Sequence, residues 1–154
     1  MGHFVNGELD GNKADRLYNC VRQFTLNLEY SDPVEIPDTA MAVIKSNEDI
    51  FPAVDNAAKE KAKAMIDSSI EYKHLVKNIA PYVDKMVYFK NQTVLQVFCD
   101  TMWGKPFTYI LTADSNYDNY HVVMYDGDID VFEDDNITFV ALPELSLIHI
   151  SEPT

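Results

Sequence analysis

Between Lys85 and Pro143 the chain is made of short apolar, aromatic and β-branched runs broken by Gly, Asn and Asp, and this pattern limits what the chain can fold into. Period-two alternation puts every second side chain on one face of a strand. Val87, Phe89, Leu95, Val97 and Cys99 share one parity if a first long strand runs unbroken through Asn91. Asn tolerates unusual φ, so Asn91 either supplies the bulge that a curled strand needs or forms a hairpin turn with Gln92. Gly104-Lys105-Pro106 reads as a loop, and Phe107, Tyr109 and Leu111 alternate in a second strand. Tyr120, Val122 and Met124 alternate in a third, before a turn at Asp126-Gly127. Ile129 and Val131 form a short run, and Ile137, Phe139 and Ala141 make a fourth strand. The pattern predicts a meander of antiparallel strands, with the rest of the chain accessory to it.

The preceding residues divide into two regions. In 1–32, Asn6-Gly7 lies between Phe4-Val5 and Leu9, a two-residue hairpin signal, because Asn and Gly both accept the positive φ of a type I′ turn. Gln23 to Tyr30 alternate strictly, with Phe24, Leu26, Leu28 and Tyr30 on one face, as in a half-buried strand. A helix using Leu17, Val21, Phe24 and Leu28 fits the same residues. Ser31-Asp32-Pro33 ends the element, and Pro33 to Pro37 reads as a linker. Residues 38–84 read as helical. Asp38 is expected to cap a helix carrying Met41, Val43 and Ile44. Asp55 or Asn56 caps the next, which carries Ala58, Ala62, Met65, Ile66 and Ile70. Tyr72, Leu75, Val76 and Ile79 continue the stripe past a bend at Ser68-Ser69, and Pro81 stops it.

Charge and cysteine content narrow the function classes. The net charge is -13, from 25 acidic and 12 basic residues. Affinity for a phosphate backbone comes from Lys and Arg, so nucleic acid is a disfavoured partner, and an anionic membrane surface would repel the chain. No run of about 18 apolar residues exists to cross a membrane. Cys20 and Cys99 lack CxxC spacing, so they carry no zinc or thioredoxin-like signature; two buried thiols are expected rather than a disulfide.

Three stretches resemble known sequences. Gly2-x-Phe4-x-Asn6-Gly7-x-x-x-Gly11 resembles a MORN repeat, although Lys13 stands where such repeats place a further Gly. A single unit cannot bury its face, so either further repeats precede it or it is an ordinary hairpin. Residues 72–143 resemble OB-fold-like modules of the tRNA-anti-like type, found in bacterial envelope lipoproteins and secreted proteins. The match rests on Tyr72, Leu75, Lys77-Asn78 and Tyr82, leading into Lys85-Met86-Val87-Tyr88-Phe89 and Val94-Leu95-Gln96-Val97. It continues at Glu133-Asp134-Asp135 before Ile137 and Phe139, where Asp134 replaces a Gly of the family. The resemblance implies a five-stranded, partly open barrel, an extracytoplasmic or cell-envelope setting, and no catalytic residues. Leu147 to Thr154 resembles translated sequencing-adapter read-through. The natural sequence is therefore expected to end near Leu145 or Ser146, making the chain a fragment that lacks its last strand, with 146–154 an artefactual tail.

Candidate chemistry is sparse. Asp114-x-Asn116-x-Asp118-Asn119 matches the first half of a Ca²⁺ loop, but position twelve is Tyr125 rather than Glu. Asp126, Asp128 and Asp130, with Glu133 to Asp135, form a denser acidic cluster. These are weak metal candidates, and solvated loop charge is the ordinary alternative. Cys99 and His121 could be drawn into a triad, but each sits in a strand, where an inert thiol and a face-lining His are usual. His3, His74 and His149 show no ligand spacing. Phe89, Phe98, Trp103, Phe107, Tyr109, Tyr117, Tyr120 and Tyr125 could stack on bases, but only Lys85, Lys90 and Lys105 are basic in the strand region, so core packing is the expected use.

The sequence thus predicts an α+β fold: an N-terminal β-hairpin, a helical segment, and an OB-like β-meander or partly open barrel over 85–145 lacking its last strand. The expected function is that of a non-catalytic binding or structural module of a larger bacterial protein, with no cofactor and with an unidentified protein or small ligand as partner. A domain binding Ca²⁺, glycan or oligonucleotide is one alternative, and an enzyme of unrecognised type is another.

Overall fold

The computed structural model describes residues 4–5, 8–9, 13–26 and 36–144. The fold is α+β, with four α-helices and an antiparallel sheet curled into half a barrel. β1 (Phe4–Val5) and β2 (Glu8–Leu9) pair antiparallel, as a hairpin about Asn6-Gly7 requires. α1 spans Lys13–Leu26. The helical stripe through Leu17 and Val21 therefore prevails over the strand expected from Gln23, because Ala14, Cys20 and Val21 are buried at helical spacing. Residues 1–3, 6–7, 10–12, 27–35 and 145–154 lie outside the described residues, and with them the Asn6-Gly7 turn, most of the MORN-like motif, Asn27 to Tyr30 of the expected strand, most of the linker and the read-through-like tail.

α2 spans Asp38–Ser46 and α3 spans Asn56–Ala64. Asp55 caps α3, accepting from the Ala58 N–H at 2.7 Å. Asp38, expected as a cap, is instead the first helical residue of α2, where its charge faces the positive end of the helix dipole. α3 stops at Ala64, short of the Met65, Ile66 and Ile70 expected on it, because Ile66 bridges to Met86 instead; α4 then covers only Tyr72–Lys77. Pro81 falls in a 3₁₀ turn, Ala80–Tyr82.

The main sheet contains β3 (Val87–Met102), β4 (Lys105–Ala113), β5 (Tyr120–Tyr125) and β6 (Asn136–Ala141), in the order β5-β4-β3-β6. Three consecutive strands meander. The fourth returns by the connection 126–135 to lie beside the first, the strand order of a Greek key. β3 is long enough to serve both neighbours because it bends twice. Asn91, at φ 58°, is one extra residue against β6, and Leu95 is one extra residue against β4. Each bulge reverses the alternation. The inward set is therefore Phe89, then Gln92 and Val94, then Val97 and Cys99, rather than one unbroken parity. The β3–β4 turn is Trp103-Gly104, both at positive φ, with Lys105 and Pro106 already in β4. Ile129 and Val131 lie in the irregular connection rather than in a strand.

The curl is visible in side-chain contacts. β5 and β6 are opposite edges of the sheet, yet the His121 ring is 5.6 Å from Phe139 and 4.3 Å from Phe89. Tyr72 of α4 meets His121 edge-on at 5.1 Å, and Leu75 joins Ile70 and Val87, so α4 covers this end of the barrel interior. On the opposite face of the sheet, Cys20 of α1 packs against Phe107 and Tyr109. Ile44 of α2 lies in a core with Ala14 and Val21 that reaches both Met124 and Leu142. Ala58 and Ala62 of α3 pack with Ile50 and Met86.

Candidate functional site

The bulges that curl β3 also leave part of it unpaired. Its N-terminal half pairs with β6 as far as Thr93↔Asn136. At Val94 the connection takes over: Val94 N donates to Asp135 O and Asp134 N donates to Val94 O, both at 2.8 Å. Asp134, at φ 73°, makes the sharp turn that delivers this contact. Beyond Val94, no described residue pairs with the outer edge of β3.

The direction of the free backbone groups follows from the hairpin. In a two-residue hairpin the flanking pair, here Met102↔Lys105, exchanges both hydrogen bonds, and bonded and non-bonded pairs then alternate. Asp100 and Phe98 therefore bond to β4, while Thr101, Cys99 and Val97 turn N–H and C=O outward. Pro106, which has no N–H, sits opposite Thr101, as this phase requires. Thr101 N–H is already bonded to its neighbour Asp100 Oδ1 at 2.8 Å. Among the described residues nothing pairs with Val97 or Cys99 on this side, and the two form an open backbone template.

That template forms one wall of a groove of about 660 Å³. The other wall is 128–133, from Asp128 to Glu133. Thr108, 1% exposed, lies in the groove and donates from Oγ1 to Gly127 O at 2.6 Å, which holds the start of the connection against β4. Phe98 and Phe132 are apolar rings left 46% and 65% exposed at its margins. Asp128, Asp130 and Glu133 are exposed carboxylates with no ion pair among the described residues.

The metal candidates do not converge. Asp114 organises its own loop: Oδ1 accepts from the N–H of Asn116 and of Asp118, both at 3.0 Å, and Oδ2 accepts from Asn119 Nδ2 at 2.8 Å. Asp126 is engaged by Arg16 Nε at 2.6 Å and Lys13 Nζ at 3.1 Å. Asp128 and Asp130 line the groove instead. Among the described residues no group of three His, Cys, Asp or Glu side chains could hold a metal ion.

Cys99 and His121 are also apart. They lie opposite Thr108 and Thr112, four positions along β4, or about 14 Å at strand rise. Burial among Phe89, Phe139 and Tyr72 pushes the His121 imidazole down to about 4, opposed only in part by the charge of Asp114. Cys20 and Cys99 are both free thiols. Cys20 is buried, and burial pushes its thiol up to about 12; Cys99 is exposed. Of the aromatic candidates, Phe107 and Tyr109 are core residues, and Phe98 stacks on Tyr109 at 5.0 Å. His74 accepts from Glu71 N–H at 2.9 Å as part of a helix cap, while His3 and His149 lie outside the described residues.

Sequence reasoning missed two features: the open edge of β3, and the buried Arg16–Asp126 pair. The edge depends on where β6 stops, which local periodicity does not encode. The pair joins residues 110 apart in sequence. No family model matches the chain, nor does any curated protein or solved structure.

Proposed function

We propose that the chain is a non-catalytic binding module of a larger protein, an OB-like partial barrel whose partner docks in the groove between β3 and 128–133. The observation that carries this is the open backbone of Val97 and Cys99 lining a groove with exposed apolar rings at its margins. An unpaired and accessible strand edge is a template on which another extended chain can add a strand. Two features support the OB-like likeness: a long, twice-bent first strand that pairs with the second and the fourth, and a positive φ at Asp134, where the resembled modules carry Gly. The acidic balance of 25 to 12 argues against a nucleic-acid ligand.

The test is an NMR titration of the ¹⁵N-labelled chain with calcium, short glycans, short single-stranded oligonucleotides and short peptides. The expected result is that at least one class shifts the amides of 97–99 and 128–133 before any others. Silence at those amides with every class would overturn the proposal. So would turnover of any substrate that Cys99→Ala or His121→Ala abolishes.

A further inference from the structure

The groove is open to a particular kind of partner, and the inference that follows rests on its being the binding site. We infer that it takes an extended peptide segment whose side chains alternate between cationic and apolar, added as a strand to the Val97–Cys99 edge of β3.

Three independent features converge on this occupant. The first is the backbone. Val97 and Cys99 each direct an N–H and a C=O into the groove, spaced two residues apart as an added strand requires. Asp100 occupies the Thr101 N–H with its own Oδ1, which ends the template beside the hairpin and limits the added strand to a few residues. At the other end Val94 is closed by Asp134 and Asp135. The open stretch is therefore bounded on both sides, unlike a frayed edge.

The second feature is the apolar surface. Phe98 and Phe132 lie on opposite walls and remain exposed, although Phe98 is already stacked on Tyr109. A strand laid between them covers both rings with alternate side chains.

The third is charge. Asp128, Asp130 and Glu133 line the wall facing the edge, all exposed and without a cation among the described residues. Asp130 sits at the centre of a tight turn in which Val131 N donates to Ile129 O at 2.9 Å, so the three carboxylates are spread along the wall of the groove. Lys or Arg at every second position would meet these carboxylates, whereas an acidic segment or a phosphate backbone would be repelled.

The test uses the peptide acetyl-Lys-Val-Lys-Val-Lys-Val-Lys-amide, an otherwise identical peptide N-methylated at alternate residues, and a Glu-for-Lys counterpart. The expected result is saturable binding of the first, seen by calorimetry and by shifts at Val97, Cys99 and 128–133. Salt should weaken it, and N-methylation should weaken it about tenfold or more, because the backbone bonds are lost. The acidic peptide should not bind. Val97→Pro removes one outward N–H at an edge position that tolerates proline, and should weaken binding similarly. Asp128→Asn with Asp130→Asn tests the charge arm if Val97→Pro fails to fold. Equal affinity for the methylated peptide, equal affinity for the acidic one, or shifts elsewhere would overturn the inference. If only a glycan or an oligonucleotide shifts the groove amides, the peptide inference fails while the binding module stands. If no ligand class does, both fail.

Discussion

Arg16 Nε lies 2.6 Å from Asp126 Oδ1, and both side chains are more than nine-tenths buried. The same guanidinium donates from Nη2 to the carbonyls of Lys105 and Pro106 and stands 5.8 Å over the Phe107 ring. One residue of α1 thus fastens the helix to the start of β4 and to the end of β5. Lys13 adds a second cation to Asp126 at 3.1 Å. Replacing Asp126 by Ala leaves a buried guanidinium without its carboxylate, which is expected to cost about 3–5 kcal/mol. Urea unfolding measures this directly. A loss below about 1 kcal/mol, the range of exposed pairs, would show that the contact is not a fastening.

His121 couples stability to acid. Its folded pKa, about 4, lies below the ordinary value of 6.5, so on acidification the unfolded chain takes up the proton first. The contribution is intact above pH 6.5, is lost between pH 6.5 and about 4, and is flat below that. The full loss is about 3 kcal/mol. Midpoints of denaturant unfolding at successive pH values should fall across that window. His121→Leu should remove the slope while keeping the contacts with Phe89 and Phe139.

Glu144 acts in the opposite direction. Neither carboxyl oxygen has a hydrogen-bond partner among the described residues, and burial, with the charge of Asp84 adding to it, pushes the group up to about 9 from 4.5. The folded form therefore holds a proton that the unfolded form releases. Its contribution is fully present below pH 4.5 and is lost as pH rises toward about 9. Glu144→Gln, which stays neutral, should raise the melting temperature at pH 8 and change it little at pH 4.5. A variant no more stable than the parent at pH 8 would place the carboxylate in water.

The bulge at Asn91 tests how the barrel curls. Its φ of 58° is tolerated by Asn and Gly and disfavoured by β-branched residues. Asn91→Gly should change stability by less than about 1 kcal/mol, and Asn91→Val should lower it by about 1–2 kcal/mol. Comparable effects of the two would mean that the bend is set elsewhere.

Much of the sheet was legible in the chain. The strands at Phe107, Tyr120 and Ile137, the bend at Asn91 and the Asp55 cap each follow from local pattern or from a residue's φ preference. The Gln23 to Leu26 stretch was ambiguous because its apolar residues satisfy both periods; burial of Ala14 and Cys20 against residues far along the chain favours the helix. The single parity expected for β3 fails because the second bulge, at Leu95, involves a residue with no unusual φ preference. The groove was invisible for a stronger reason. It is defined by where a partner strand stops; of its lining, the sequence marks Asp128, Asp130 and Glu133 only as an acidic cluster with weak metal character, and Phe98 and Cys99 only for other roles.

The likeness of Asp114-x-Asn116-x-Asp118 to half a calcium loop is testable. The Asp114 carboxylate is satisfied by two backbone N–H groups and Asn119. Millimolar calcium should leave the melting temperature unchanged, since an ion bound only by the folded state would raise it. Asp114→Ala should cost about 1–2 kcal/mol through the loop bonds alone.

The most direct measurement is amide hydrogen exchange along β3. In the free chain, Phe98 and Asp100 should be protected by β4, while Val97 and Cys99 exchange quickly with solvent. Saturation with the Lys-Val peptide should slow Val97 and Cys99 specifically. Protection of all four amides in the free chain, or fast exchange at Val97 and Cys99 that the bound peptide leaves unchanged, would contradict an open edge that receives a strand.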